Sequence, residues 1–209
     1  MKTIVYMVRH AESPYNEGTD RTRGLTSAGQ MNASKVTEIL KNEGIHTIIS
    51  SPYARAVLTL EGLAKVLAMD IQIVEDLRER HFSDELIADE DFGPAEKMMF
   101  DDPDYALPGG ESNRVCQSRA VSVLRQILVD YRGKKIAIGT HGHVMTLMMN
   151  SFDSSYGLDF MHQTRKPDIY RLHFEEMKLE KVTRLWENGS QAGISQNRRT
   201  TKKYVMRDE

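Results

Sequence analysis

The sequence has a single cysteine, Cys116, among its 209 residues, so no internal disulfide can form, which suits a reducing compartment. No stretch approaches the roughly 20 apolar residues of a membrane span. The apolar run near the N-terminus is too short for the core of a secretion signal. A cytoplasmic protein with no membrane partner is expected. An excess of one charge is missing too: 28 Lys and Arg against 30 Asp and Glu leave a formal charge of -2, which gives no general reason to expect nucleic acid as a partner. There is no G-x-G-x-x-G and no G-x-x-x-x-G-K-[ST] loop, which leaves nucleotide binding through those modes without support. His141-Gly142-His143 has no further cluster of Cys, His or carboxylates at ligand spacing, so no metal is expected. Oligomeric state is not legible, because an exposed apolar stripe cannot be told from core in one sequence.

What the chain does have is two short apolar strands that end in histidine. Ile4 to Val8 is an unbroken apolar run that stops at Arg9 and His10, then turns polar through Ser13-Pro14. Such a run reads as a strand buried on both faces, as in parallel sheets, where ligands sit beyond the carboxyl ends. Lys135 to Gly139 repeats the pattern and runs into Thr140-His141-Gly142. With a reference pKa of about 6.5, a histidine such as His10 is able to act as nucleophile, base or switch near neutral pH. Arg9 beside it disfavours the imidazolium and presents a fork of donors shaped for phosphate. A neutral imidazole next to a phosphate clamp is what attack on phosphorus requires.

Between these strands, residues 17–25 are loop by composition, with Arg21 and Arg23 as exposed cations that either touch a substrate's anionic tail or are solvated. Thr26 or Ser27 caps a helix with Met31, Ile39 and Leu40 at helical spacing, ending near Gly44. His46 to Ser50 is a second strand, and Ser51-Pro52 reads as an N-cap followed by proline at the first helical position. Arg55 then falls in the first turn, where a cation opposes the helix dipole unless it meets a phosphate or points to water. Ile71 and Ile73 suggest a third strand. Residues 83–111 show no clean period and read as a cap over the sheet's carboxyl edge. Ser112 starts a helix running to Tyr131, with Cys116 on its core face. Two closing strands follow, at about 167–174 and 179–186. Residues 1–187 are expected to form one domain, and 188–209, with Arg198, Arg199, Lys202, Lys203 and Arg207, a basic tail that is flexible or loosely docked.

Six separated motifs stand in order: Arg9-His10-Ala11-Glu12-Ser13 with Asn16, Leu25-Thr26, Ser50-Ser51-Pro52 with Arg55-Ala56, Leu77 with Glu79, Gly109-Gly110-Glu111-Ser112, and His141-Gly142. In this spacing the chain resembles the histidine phosphatase superfamily, the phosphoglycerate mutase-like enzymes, from about residue 3 to 186. The resemblance implies an α/β fold: a three-layer sandwich whose mostly parallel central sheet has helices on both faces and a cap-like insertion at about 83–111. It further implies a phosphohistidine mechanism with no metal or other cofactor, acting on a small phosphorylated metabolite. His10 would be the nucleophile and Glu79 the proton donor. Arg9, Arg55 and His141 would surround the phosphoryl oxygens, with Asn16 and the amide of Gly142 as further donors.

Two departures from the family pattern bear on this. Ala11 replaces the usual glycine, which strains the chain if the position needs a positive φ. Ser83-Asp84 stands where many relatives have glycine, which bears on the reach of Glu79. The leading expectation is a phosphomonoesterase. A phosphoglycerate mutase is suggested by Glu79-Arg80-His81-Phe82, although the chain is short and lacks the mutases' arginine-rich cap. A pocket that binds phosphate without turnover is the third reading.

Overall fold

Ile4 to Val8 lies inside β1 (Lys2–Arg9), and Val5, Tyr6, Met7 and Val8 are fully buried because helices cover both faces of the sheet it belongs to. The computed structural model describes residues 1–186. The expected basic tail from 188 onward falls outside them. The remaining elements are α1 (Ser27–Leu40), β2 (Thr47–Ser50), α2 (Ala54–Leu67), β3 (Ile71–Ile73), α3 (Asp89–Asp101), α4 (Asn113–Asp130), β4 (Lys135–Thr140), α5 (Gly142–Asn150), α6 (Leu158–Gln163), β5 (Asp168–Glu175) and β6 (Lys178–Arg184).

Six strands form one sheet in the order β3-β2-β4-β1-β5-β6. β3, β2, β4 and β1 pair in parallel, while β5 runs antiparallel to β1 and to β6, so the sheet is mostly parallel, as expected. Successive side chains of β1 point to opposite faces. Val5 and Met7 pack with Cys116, Leu124, Val144 and Met148 of α4 and α5; Tyr6 and Val8 pack with Val36, Leu40, Leu60 and Leu63 of α1 and α2. This is the three-layer sandwich. Burial holds the Cys116 thiol well above its ordinary pKa, so it is an inert part of the core.

Several local expectations are corrected. Met31 is 64 % exposed, so it is not on the core face of α1, which Val36 and Leu40 supply. Ser51-Pro52 does not open α2: the N-cap is Tyr53, and Ser51 is drawn elsewhere by its hydroxyl. The segment 83–111, in which no clean period is visible, contains the 13-residue helix α3. Its inward positions are Phe92, Glu96 and Met99, a true helical spacing disguised by a carboxylate at the middle position and by Pro94 within the helix. Glu96 is buried because it meets two imidazoles, His143 Nε2 at 3.0 Å and His162 Nε2 at 2.7 Å. Burial alone would raise its pKa, but the two histidines outweigh it and hold the carboxyl below its usual range.

These contacts set α3 against the first turn of α5, at the carboxyl end of β4, with Phe82 edge-on to His143 at 4.7 Å. The two ends of the insertion are stitched together by Glu111 N–H to His81 O (2.8 Å), Asp84 N–H to Pro108 O (3.2 Å) and Ser83 Oγ to Pro108 O (3.0 Å). Ser83-Asp84 thus closes the base of the cap.

Candidate active site

β1 and β4 are neighbours in register, Arg9 opposite Thr140, so the histidines that follow them emerge side by side. The pairing continues past the strands through His10 N–H to Thr140 O at 2.9 Å. The imidazoles of His10 and His141 lie 5.3 Å apart, centre to centre, at 61°. Both are buried.

His10 is held in one tautomer by its partners. Nδ1 donates to the carbonyl of Ala11 at 2.7 Å, and Nε2 accepts from Arg55 Nε at 3.2 Å. A carbonyl can only accept and a guanidinium can only donate, so the proton is assigned to Nδ1 and the lone pair to Nε2. Burial, and then the charges of Arg55, Lys166 and Arg9, push the His10 pKa well below that of a free imidazole, against the pull of the Ala11 carbonyl. His141 is likewise lowered by burial, then by Arg55, His10, Arg23 and Arg9. Its Nε2 lies 2.7 Å from Ser51 Oγ, while Nδ1 is buried and has no hydrogen-bond partner among the described residues.

The alanine at position 11 is unstrained. The only non-glycine residues with positive φ among the described residues are Ala68 and Glu176, so the position does not demand glycine. The Ala11 N–H is bonded to Thr59 Oγ1 at 2.9 Å, which fixes the turn after His10. Gly142, by contrast, leaves room for the arginine: a Cβ there would come within 2.9 Å of Arg9 Cζ and would have to displace the guanidinium. Arg9 is anchored through its Nη1 to the carbonyl of Thr164 at 3.1 Å and to the Thr164 hydroxyl, and its Nε is buried with no partner among the described residues.

Arg55 is 1 % exposed in the first turn of α2. Its conflict with the helix dipole is met by Asp20, whose Oδ1 lies 3.2 Å from Nη1 and whose carbonyl accepts from the same nitrogen. Asp20 also holds Arg23 at 3.0 Å, so Arg23, expected on the surface, is buried, whereas Arg21 is exposed and bonded to Glu75. Asp20 was invisible in the sequence, one acid in a polar loop.

Glu79 accepts from two amides with Oε1, its neighbour Arg80 at 2.9 Å and Val144 at 3.3 Å. Val144 is in the first turn of α5, whose own N-cap, His141, provides no side-chain cap. The carboxylate therefore serves α5 from 65 residues away and is tied to the end of β4. Its charge acts on both Arg9 and Arg55. Arg9, His10, Arg55, Glu79, His141 and Gly142 are thus brought together. Asn16 is not: it is exposed in the bend after β1 and makes no hydrogen bond among the described residues, so its part in the pocket is carried by the resemblance alone.

Two buried neutral histidines make stability depend on acidity with a fixed sign. Their folded pKa values lie below the unfolded value of about 6.5, so above that pH neither state binds the proton and nothing changes. Below it the unfolded chain gains protons that the native state refuses, and stability falls by about 1.4 kcal/mol per pH unit for each histidine. Urea midpoints between pH 7 and 5 are expected to drop accordingly, and replacing either histidine by glutamine should flatten the slope.

The family model of the histidine phosphatase superfamily (branch 1) matches residues 5–187. Among curated proteins, a "probable phosphoglycerate mutase GpmB" of Salmonella paratyphi B is 28% identical over 158 residues, covering 70% of this chain and 73% of that protein. A mycobacterial glucosyl-3-phosphoglycerate phosphatase is 18% identical with a TM-score of 0.70, covering 91% of this chain and all of that one. Bacillus stearothermophilus YhfR is 24% identical with a TM-score of 0.71, covering 85% of this chain and 94% of that one. A phosphoserine phosphatase of Entamoeba histolytica, in complex with 3-phosphoglyceric acid, is 18% identical with a TM-score of 0.69 over 90% of this chain and 98% of that one. At these identities the solved structures establish the fold. No helix of the described residues is long and apolar enough to cross a membrane.

Proposed function

The chain belongs to the histidine phosphatase superfamily, and from that premise we propose that it hydrolyses small phosphomonoesters through a phosphohistidine on His10, without a metal. The observation that carries the reading is the state of His10: a neutral ring with its proton committed to the Ala11 carbonyl and its Nε2 lone pair facing only the Arg55 donor. A phosphoryl group entering the pocket takes over that donor as one of its own.

In the first step Nε2 forms a bond to phosphorus in line with the ester oxygen, which leaves with the electron pair of the broken P–O bond and takes a proton from the Glu79 carboxyl. Arg9, Arg55, His141 and the Gly142 amide neutralise the charge spread over the three nonbridging oxygens. In the second step Glu79 accepts a proton from water, the water oxygen bonds to phosphorus, and the P–N bond breaks to return the lone pair to Nε2. Glu79 is suited to this by its position: one oxygen is held by two amides and the other is not.

Steady release of phosphate from an aryl phosphate in excess EDTA is expected, together with a phosphoenzyme that survives alkaline quenching and decays in acid. EDTA-sensitive turnover, or a phosphoenzyme stable to acid, overturns the proposal. The mutase reading draws on the names of the curated relatives and on the Glu79-Arg80-His81-Phe82 sequence. Against it, Arg80 is buried beneath the cap, bonded through Nε to the Glu111 carbonyl at 2.7 Å and set against Met99, and offers little to a substrate. Interconversion of 3- and 2-phosphoglycerate with a bisphosphate primer separates the two.

A further inference from the structure

Two buried imidazoles lie side by side in the pocket, and attack on phosphorus asks opposite things of them. One must present a lone pair to the phosphorus atom, the other a donor to an oxygen. The residue type is the same in both places, so what separates them is the partner each ring meets on its far side. For His10 that partner is the Ala11 carbonyl, which takes the Nδ1 proton and leaves the lone pair on Nε2. For His141 it is Ser51, whose Oγ lies 2.7 Å from Nε2.

Ser51 follows the last residue of β2 and is fixed there by its backbone N–H, bonded to the Gly139 carbonyl at 2.9 Å. Its side chain is fully buried, and Oγ has two hydrogen-bond partners among the described residues. One is the Tyr53 N–H at 3.2 Å, and because an amide N–H only donates, Oγ accepts there. The hydroxyl hydrogen then needs an acceptor, and the one within reach among the described residues is Nε2 of His141. Were the proton on Nε2 instead, Oγ would accept twice and its hydrogen would be stranded away from water. Nδ1 would then be a bare lone pair, buried and with no hydrogen-bond partner among the described residues. That arrangement orphans two groups. The other orphans only the Nδ1 proton, a donor that an incoming oxyanion satisfies. Burial, and then Arg55, His10, Arg23 and Arg9, keep the ring neutral, so it has a single N–H to give and the place of that proton decides what it can do.

We propose that Ser51 is a positioning residue: its hydroxyl donates to Nε2 of His141, fixes the ring in the Nδ1–H tautomer and so makes it a donor to a nonbridging oxygen of the phosphoryl group at His10. This deepens the phosphomonoesterase reading, and the part played by the phosphoryl group rests on it. In the reverse tautomer His141 would set a lone pair against oxygens that can only accept.

The test reads the tautomer directly. In the uniformly 15N-labelled full chain near neutral pH, long-range 1H–15N correlations separate a protonated ring nitrogen from a bare one, and the His141 signals are those lost in His141→Gln. The resting protein is expected to show Nδ1 protonated and Nε2 bare. A proton on Nε2, or an even mixture, overturns the proposal, because Nδ1 is then a lone pair among the pocket's cations. Ser51→Ala should release the ring to a mixture of tautomers and weaken orthovanadate, measured by calorimetry, about tenfold. Ser51→Thr, which keeps the hydroxyl, should restore both; Ser51→Cys, with its weaker donor, serves if the alanine variant does not fold. Loss of the partner of the Tyr53 N–H costs stability in either case, whereas the tautomer moves only if Ser51 sets it. A Ser51→Ala protein that keeps either the native tautomer or the native vanadate affinity overturns the role of Ser51. The expected tautomer and its dependence on Ser51, with no phosphate released from an aryl phosphate, overturns the hydrolase reading and leaves the positioning role standing.

Discussion

His10→Ala is expected to lower the turnover of an aryl phosphate by roughly four orders of magnitude or more and to abolish the alkali-stable phosphoenzyme. The variant loses the atom that bonds to phosphorus, and the groups left behind cannot replace it. Arg9 and Arg55 only donate, and His141 Nε2 is already engaged with Ser51. The fold should survive, because the cost is confined to the Ala11 carbonyl and the Arg55 Nε that lose their partner, about 1–3 kcal/mol in a chemical melt. Residual activity above about one part in a hundred would mean that the nucleophile is elsewhere, with Nδ1 of His141, which has no hydrogen-bond partner among the described residues, as the next candidate.

Arg55→Ala should cost about a hundred- to a thousandfold in kcat/KM, the loss associated with one preorganised donor to a developing oxyanion. It should also move the acid limb of the pH profile. Arg55 is the largest charged contributor, after burial itself, to the low pKa of His10. Removing the cation makes the imidazolium less unfavourable, so the His10 pKa rises and activity is lost at a higher pH than in the native protein. Arg55→Lys should restore little, since a point charge reproduces neither the fork that reaches Asp20 nor the Nε donor to His10. An acid limb that stays in place in Arg55→Ala would show that the field at His10 has another source.

The residues that carry the chemistry were legible where they close a regular element. His10 and His141 stand at the ends of runs whose apolar character marks them as interior strands, and parallel neighbours in one sheet bring such ends together. Arg55 could be picked out because a cation in a first helical turn needs an explanation. The groups that organise these residues were not legible, since they come from irregular backbone: Asp20 in the loop before α1, and Thr164 and Lys166 in the connection before β5. Polar loops carry no period from which a side chain's direction can be read. The helix α3 was missed for a related reason, because its buried centre is Glu96, and apolar patterning does not register a carboxylate that two histidines make tolerable inside the protein. Ser51 was assigned to a cap because serine before proline resembles one, whereas its hydroxyl is used by His141.

The cap and the sheet meet the pocket in different ways. His10 is tied to Thr140 and Ser51 to Gly139 by backbone hydrogen bonds of 2.9 Å, so the tips of the three central parallel strands are welded into one piece. The segment 83–111 is closed at its own base by main-chain and serine bonds and meets α5 and α6 largely through side chains of α3 and Phe82. Mutation can therefore remodel the roof without retuning the machinery below it. A lineage built on this plan is free to trade one client molecule for another while its chemistry stands still.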